Sequence, residues 1–142
     1  MFMDKAIEKL KGKGVVLTHQ RLAVLRYFGD HPGDHPCASE IFRHLRQEYP
    51  TISLATVYST LGLLRKVGQI RELSIRGHPS CFDVAEKPHY HLLCRQCGCV
   101  FDVDTPCPPL DEGRLQGHQV EEVELYLYGT CRSCLETEVP PA

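Results

Sequence analysis

Pro88-His89-Tyr90-His91-Leu92-Leu93-Cys94-Arg95-Gln96-Cys97-Gly98-Cys99-Val100-Phe101-Asp102 puts two kinds of metal donor into one short stretch. His89 and His91 alternate, so on a β-strand both imidazoles face the same side. Cys94 and Cys97 form a C-x-x-C knuckle, a spacing that lets two thiolates reach one tetrahedral zinc. A second knuckle follows at Cys131 and Cys134. The two pairs complete a four-cysteine site, which leaves the imidazoles and Asp102 for other chemistry. Cys99 competes with Cys97 for a ligand place, and the C-x-x-C geometry favours Cys97. Redox dithiols are the rival reading, but two spaced pairs fit a structural site better.

The 142 residues suit one domain or two small ones. With 42% hydrophobic and 24% charged residues the composition is that of a globular protein. No apolar run approaches ~18 residues, so no membrane span is expected. No basic-then-apolar leader opens the chain, which predicts a cytoplasmic protein. The net charge of −2 hides an asymmetry: residues 1–80 carry 12 Lys+Arg against 7 Asp+Glu, and residues 81–142 carry 4 against 11. A basic half joined to an acidic half suggests that the first half meets a polyanion. The 8 cysteines, without a leader, argue against a disulfide scaffold. Cys37, Cys81, Cys99 and Cys107 stand outside the zinc spacing and could simply be buried small hydrophobes.

The basic half reads as short helices followed by a hairpin. A helix is expected over 4–11, and a second over 20–28 with Thr18 as its N-cap. A third follows Ser39, with Ile41, Phe42, Leu45 and Tyr49 as its stripe and Pro50 as its stop. Ser53 caps a fourth, running to about Val67, whose apolar stripe is Leu54, Val57, Leu61 and Leu64. Its opposite side carries Ser53, Ala55, Thr56, Ser59 and Thr60. That small, polar, uncharged surface suits the DNA major groove, where hydroxyl, methyl and aromatic groups contact base edges. Strands over 70–75 and 80–84 flank Arg76-Gly77-His78-Pro79. Together these elements predict a winged helix-turn-helix.

The acidic half predicts strands over 89–94 and 99–104 and a short helix over 110–116. A further strand over 120–128 alternates Val123, Leu125 and Leu127 against Glu122, Glu124, Tyr126 and Tyr128. So small a core calls for a staple or a partner subunit. The expected fold class is therefore α+β. A winged helix-turn-helix DNA-binding domain (1–84) and a hinge (85–88) precede a small α/β metal-binding and dimerisation domain (89–142).

Four motifs occur in order: Leu17-Thr18-His19-Gln20-Arg21, Ser53-Leu54-Ala55-Thr56-Val57-Tyr58, His89-Tyr90-His91-x-x-Cys94-x-x-Cys97-Gly98, and Leu125-Tyr126-Leu127-Tyr128-Gly129-x-Cys131-x-x-Cys134. With these the chain resembles the ferric uptake regulator (Fur) family over essentially its whole length. The resemblance implies a homodimeric, metal-dependent transcriptional repressor that binds double-stranded operator DNA and is no enzyme. It implies structural Zn2+ on the four cysteines. It also implies a regulatory site for Fe2+ or Mn2+ made by His35, Asp83, His89, His91 and an acid after the knuckle. That acid is usually Glu in the iron sensors. Here it is Asp102, as in the peroxide-sensing PerR branch.

In that branch the implied chemistry is Fe2+-dependent oxidation of a ligand histidine, with His35 and His89 the candidates. An iron- or manganese-responsive repressor without peroxide chemistry is the alternative. A thiol route through Cys37, Cys81, Cys99 or Cys107 stays open. Such N/O donors suit Fe2+ or Mn2+, unlike the thiolate set. A zinc hydrolase built on the same donors would lack a separate acid or base and would leave the winged helix unused. Tyr58, Ser53, Thr56, Ser59 and Thr60 are expected near base edges, with Lys13, Arg21, Arg65 and Arg76 on phosphates. Three departures stand out. His19 replaces the proline usual in the opening motif, Val123 occupies the place of a further family histidine, and the 110–116 helix is short.

Overall fold

In a computed structural model, residues 2–84, 90–106, 113–121 and 123–137 are described. The expected hinge (85–88), His89, Cys107 and Glu122 lie outside them. The chain divides into two compact units, Met1–Lys87 and Pro88–Ala142.

The first unit is a winged helix-turn-helix. Helices α1 (Phe2–Gly12), α2 (His19–Asp30), α3 (Ala38–Leu45) and α4 (Leu54–Lys66) precede an antiparallel hairpin of β1 (Ile70–Leu73) and β2 (Cys81–Val84). Thr18 caps α2, its hydroxyl accepting from the Arg21 N–H at 3.2 Å. Ser53 caps α4, accepting from the Thr56 N–H at 3.1 Å. Each cap satisfies an amide with no partner inside its helix. Leu10, Val24, Leu25, Ile41, Val57, Leu61 and Leu64 are sealed from water in one core.

Three local expectations are corrected here. Cys37, not Ser39, occupies the N-cap position of α3, because Ala38 is already needed inside the core and the helix must start there. That helix ends at Leu45, before the half-buried Tyr49. β1 stops at Leu73, short of Ile75.

The second unit is built on a sheet of order β4-β3-β7, formed by Val100–Val103, Tyr90–Cys94 and Tyr126–Gly129. β3 pairs antiparallel with β4 and parallel with β7. A two-residue-per-strand hairpin, β5 (Arg114–Leu115) and β6 (His118–Gln119), and helix α5 (Arg132–Thr137) complete the unit. Residues 113–116 are therefore not helical, against expectation. Gln116 (φ 51°) and Gly117 (φ 85°), between the two strands, take the left-handed region that a tight hairpin turn demands. The strand expected over 120–128 is likewise only Tyr126–Gly129.

Register sets the two faces of this sheet. Leu92 stands opposite Phe101 on one side and Leu127 on the other, and His91 stands opposite Asp102 and Tyr126. Neighbours in register share a face. An apolar row therefore backs a polar one. Phe101, Leu125 and Leu127 are each more than a third exposed, whereas Tyr126 and Tyr128 are half-buried.

Candidate metal centres and nucleic-acid interface

Cys94 ends β3, Cys97 follows in the turn, Cys131 precedes α5 and Cys134 lies inside it. Parallel pairing of Cys94 with Gly129 brings the two knuckles together. The Cys94–Cys134 and Cys97–Cys131 sulfur separations are both 3.8 Å. A tetrahedron with Zn–S of ~2.3 Å has edges of about 3.8 Å, so the four thiols fit one zinc ion.

Gly98, at φ 76°, lets the chain reverse so that its N–H reaches the Cys94 carbonyl at 2.8 Å. The Cys97 and Cys131 N–H groups donate to Cys94 Sγ at 3.4 and 3.3 Å. Those donors stabilise a thiolate and lower the Cys94 pKa to about 6. Cys134 moves the other way, to about 12, chiefly through its hydrogen bond with Cys131. A divalent cation relieves that crowding of sulfur. Cys99 stands outside the cluster, exposed. The donor set is that of a structural Zn2+ site.

The N/O donors form one pair in each unit. In the second unit His91 and Asp102 are cross-strand partners, with Nε2 and Oδ1 3.4 Å apart. Two donors at ~2.1 Å from one ion, at right angles, lie about 3.0 Å apart, so this pair suits adjacent coordination positions. His91 is buried, and its ring lies 6.4 Å from that of Tyr126, a neighbour that sequence reading missed because register is not written in the sequence. In the first unit His35 and Asp83 bring ligand atoms within 4.8 Å of each other. Asp83 is buried on β2, with Arg71 as its Cα partner on β1. Burial, then the Asp83 carboxylate, pushes the neighbouring Cys81 thiol up to about 12. Both pairs offer the imidazole and carboxylate ligands that Fe2+ and Mn2+ accept.

The candidate DNA surface lies on α4. Tyr58 is 56% exposed and Ser59 is exposed, while Thr56 is half-buried. Ser53 is exposed, but its hydroxyl is held in the cap and against Thr56 Oγ1 at 2.9 Å. Thr60 is a correction: it is fully buried and donates to the Thr56 carbonyl at 2.8 Å. It follows Val57 by three and precedes Leu64 by four, which places it inside the apolar stripe. Leu54, assigned to that stripe, is instead 39% exposed at the helix start.

Lys13 and Arg76 are exposed. Arg21 donates to the Val16 carbonyl at 2.6 Å, and Arg65 pairs with Glu72, tying α4 to the wing. Those two cations are thus held by the protein itself. No helix among the described residues is long and apolar enough to cross a membrane.

The sequence pattern of the Ferric uptake regulator family matches residues 12–128. The peroxide operon regulator of Bacillus subtilis is 36% identical over 141 residues, covering 96% of this chain and 95% of that protein. The peroxide-responsive repressor PerR of Staphylococcus aureus is 37% identical over 138 residues, covering 93% and 90%. The Helicobacter pylori ferric uptake regulator Fur, described as having three functional metal-binding sites, superposes with a TM-score of 0.77 at 22% identity, covering 96% of each chain.

Proposed function

Since this chain belongs to the ferric uptake regulator family, we propose that it is a dimeric, peroxide-responsive transcriptional repressor that binds operator DNA when an N/O-ligated metal ion is in place. It is a metal-responsive regulator and not an enzyme, and regulators of this family bind DNA as dimers. The reading places it in the cytoplasm, with Zn2+ on the four cysteines and Fe2+ or Mn2+ on His35, Asp83, His89, His91 and Asp102.

The observation that carries the reading is Asp102. It stands opposite His91 with its carboxylate turned to that imidazole, at the place where the family resemblance implies glutamate in most iron sensors. The similarity of the whole chain to two peroxide regulators points the same way.

Two donors belong to the first unit and three to the second. A ligand set drawn from both would make DNA affinity depend on the ion, and the equilibrium would shift only by the ion's difference in affinity between the DNA-binding and DNA-free states. Fe2+ on these donors would supply one-electron chemistry toward hydrogen peroxide. Over the whole reaction the imidazole of His35 or His89 would lose two electrons and gain one oxygen, and the other oxygen would leave as water. The modified ring is a poorer donor, and the repressor then leaves its operator. On the DNA side, Tyr58, Thr56, Ser59 and Ser53 face the bases, with Lys13, Arg21, Arg65 and Arg76 on phosphates.

The test uses a duplex selected from a random library by the Mn2+-loaded protein. Its binding is measured with Fe2+ and with Mn2+, each with and without hydrogen peroxide, alongside mass spectrometry of the histidine peptides. Release of the Fe2+ form alone, with one oxygen added to His35 or His89, is the expected result. Release by chelator but not by peroxide would instead assign an iron- or manganese-responsive repressor.

A further inference from the structure

Cys37 and Cys81 face each other across a lone antiparallel bridge between the segment before α3 and the start of β2. The Phe82 N–H donates to the Pro36 carbonyl at 2.9 Å, so the bond lies beside the cysteine pair and not within it. This makes Cys37 and Cys81 a non-hydrogen-bonded pair, the arrangement that brings Cα atoms to about 4.5 Å and side chains closest. A disulfide requires Cα atoms about 4.4–6.8 Å apart. The backbone therefore already meets the requirement. Both thiols are free. Cys81 is 0% exposed, while Cys37 is half-buried at the surface end of the pair. Cys37 Sγ lies 3.1 Å from Ser39 Oγ and 3.2 Å from Glu40 Oε1, so reaching Cys81 takes a side-chain rotation and no change of fold.

We propose that Cys37 and Cys81 are a redox-active pair, oxidised by hydrogen peroxide to a reversible cross-strand disulfide. The half-buried Cys37 thiol attacks peroxide. The O–O bond breaks, a sulfenic acid forms and water leaves. The Cys81 thiol then attacks that sulfur, the S–O bond breaks and a second water leaves. Two thiols lose two electrons and two protons, and one peroxide becomes two waters. A dithiol reductant reverses the step by exchange.

The position gives the disulfide a consequence. His35 and Asp83 lie two residues beyond this bridge, one on each segment, with ligand atoms within 4.8 Å of each other. Oxidation therefore staples the His35 segment to the Asp83 strand and fixes the spacing of that donor pair. The inference holds whether or not the ion on that pair senses peroxide.

The test uses the full-length, zinc-loaded protein, treated with EDTA until only the zinc equivalent remains by elemental analysis. It is exposed to hydrogen peroxide, alkylated with iodoacetamide and digested. The expected result is a Cys37 peptide joined to a Cys81 peptide, an intact mass lower by two hydrogens, and recovery of both on adding dithiothreitol. Cys37→Ser, a half-buried position outside the core cluster, must abolish the linkage, and Cys81→Ala must leave a sulfenic acid on Cys37 that dimedone traps. Alkylation of both cysteines after peroxide, or linkage of either to another cysteine, overturns the proposal. Histidine oxidation and duplex release are separate readouts, so neither reading stands or falls with the other.

Discussion

Replacing Cys131 by Ser tests how the second unit is held together. The change keeps the backbone N–H that donates to Cys94 Sγ at 3.3 Å and removes only a sulfur lying 3.8 Å from Cys97 Sγ. Structural zinc contributes roughly 10–16 kcal/mol to the small domains that depend on it. Shared among four thiolates, one ligand is worth about 2.5–4 kcal/mol, or roughly two to three powers of ten in zinc affinity. The apolar burial in this unit is smaller than the total metal term. Outside the cysteines, Tyr90 and Leu93 are its buried apolar side chains among the described residues. At ~1.5–3 kcal/mol each they supply about 3–6 kcal/mol. Zinc therefore wins, and its loss should melt β3, β4 and β7.

The core of the first unit lies wholly within that unit and should survive. Zinc competition with a chromophoric chelator measures the affinity. Amide NMR signals of Leu92, Phe101 and Leu127 report the sheet, and those of Val57, Leu61 and Leu64 report the helices. A variant that keeps zinc within tenfold of the parent, or a zinc-stripped protein with its sheet signals intact, would refute the reasoning.

Tyr58→Ala should weaken duplex binding by roughly 1–3 kcal/mol without lowering the melting temperature. Thr60→Val should leave binding within about twofold, because the Thr60 side chain is buried. Leu61→Ala removes a fully buried side chain of α4. It should cost ~2–5 kcal/mol in chemical denaturation of the first unit. Leu127→Asp places a charge in the row of Leu92, Phe101 and Leu127, of which Phe101 and Leu127 are exposed. Sedimentation should then show monomer where the parent is dimeric, and an unchanged dimer would move the interface elsewhere.

The helices were legible because their signals are local. Thr18 and Ser53 sit where the caps form, and Val57, Leu61 and Leu64 recur at helical spacing. Thr60 misled because its chemistry resembles that of the exposed face, whereas its spacing belongs to the stripe. Its hydroxyl returns to the Thr56 carbonyl, which is how a helix interior accepts a buried threonine. The start of α3 was misplaced for a related reason. Ser39 has the better capping chemistry, yet Ala38 must already be helical to reach the core. In the second unit the hairpin at 113–119 was hidden because Gln116 takes a positive φ that its residue type does not announce.

What no local signal carries is register, and the donor pairs depend on it. His91 and Asp102 are separated in sequence by the whole knuckle, yet pairing of β3 with β4 makes them direct partners. The bridge of Cys37 with Cys81 likewise stands two residues from His35 on a loop and two from Asp83 on a distant strand. Each imidazole–carboxylate pair thus takes its spacing from backbone hydrogen bonds and not from long flexible side chains. A donor pair fixed this way loses little side-chain freedom when an ion arrives. The spacing also changes little until the ladder itself changes. For His35 and Asp83, the position best placed to change that spacing is the bridge where Cys37 meets Cys81.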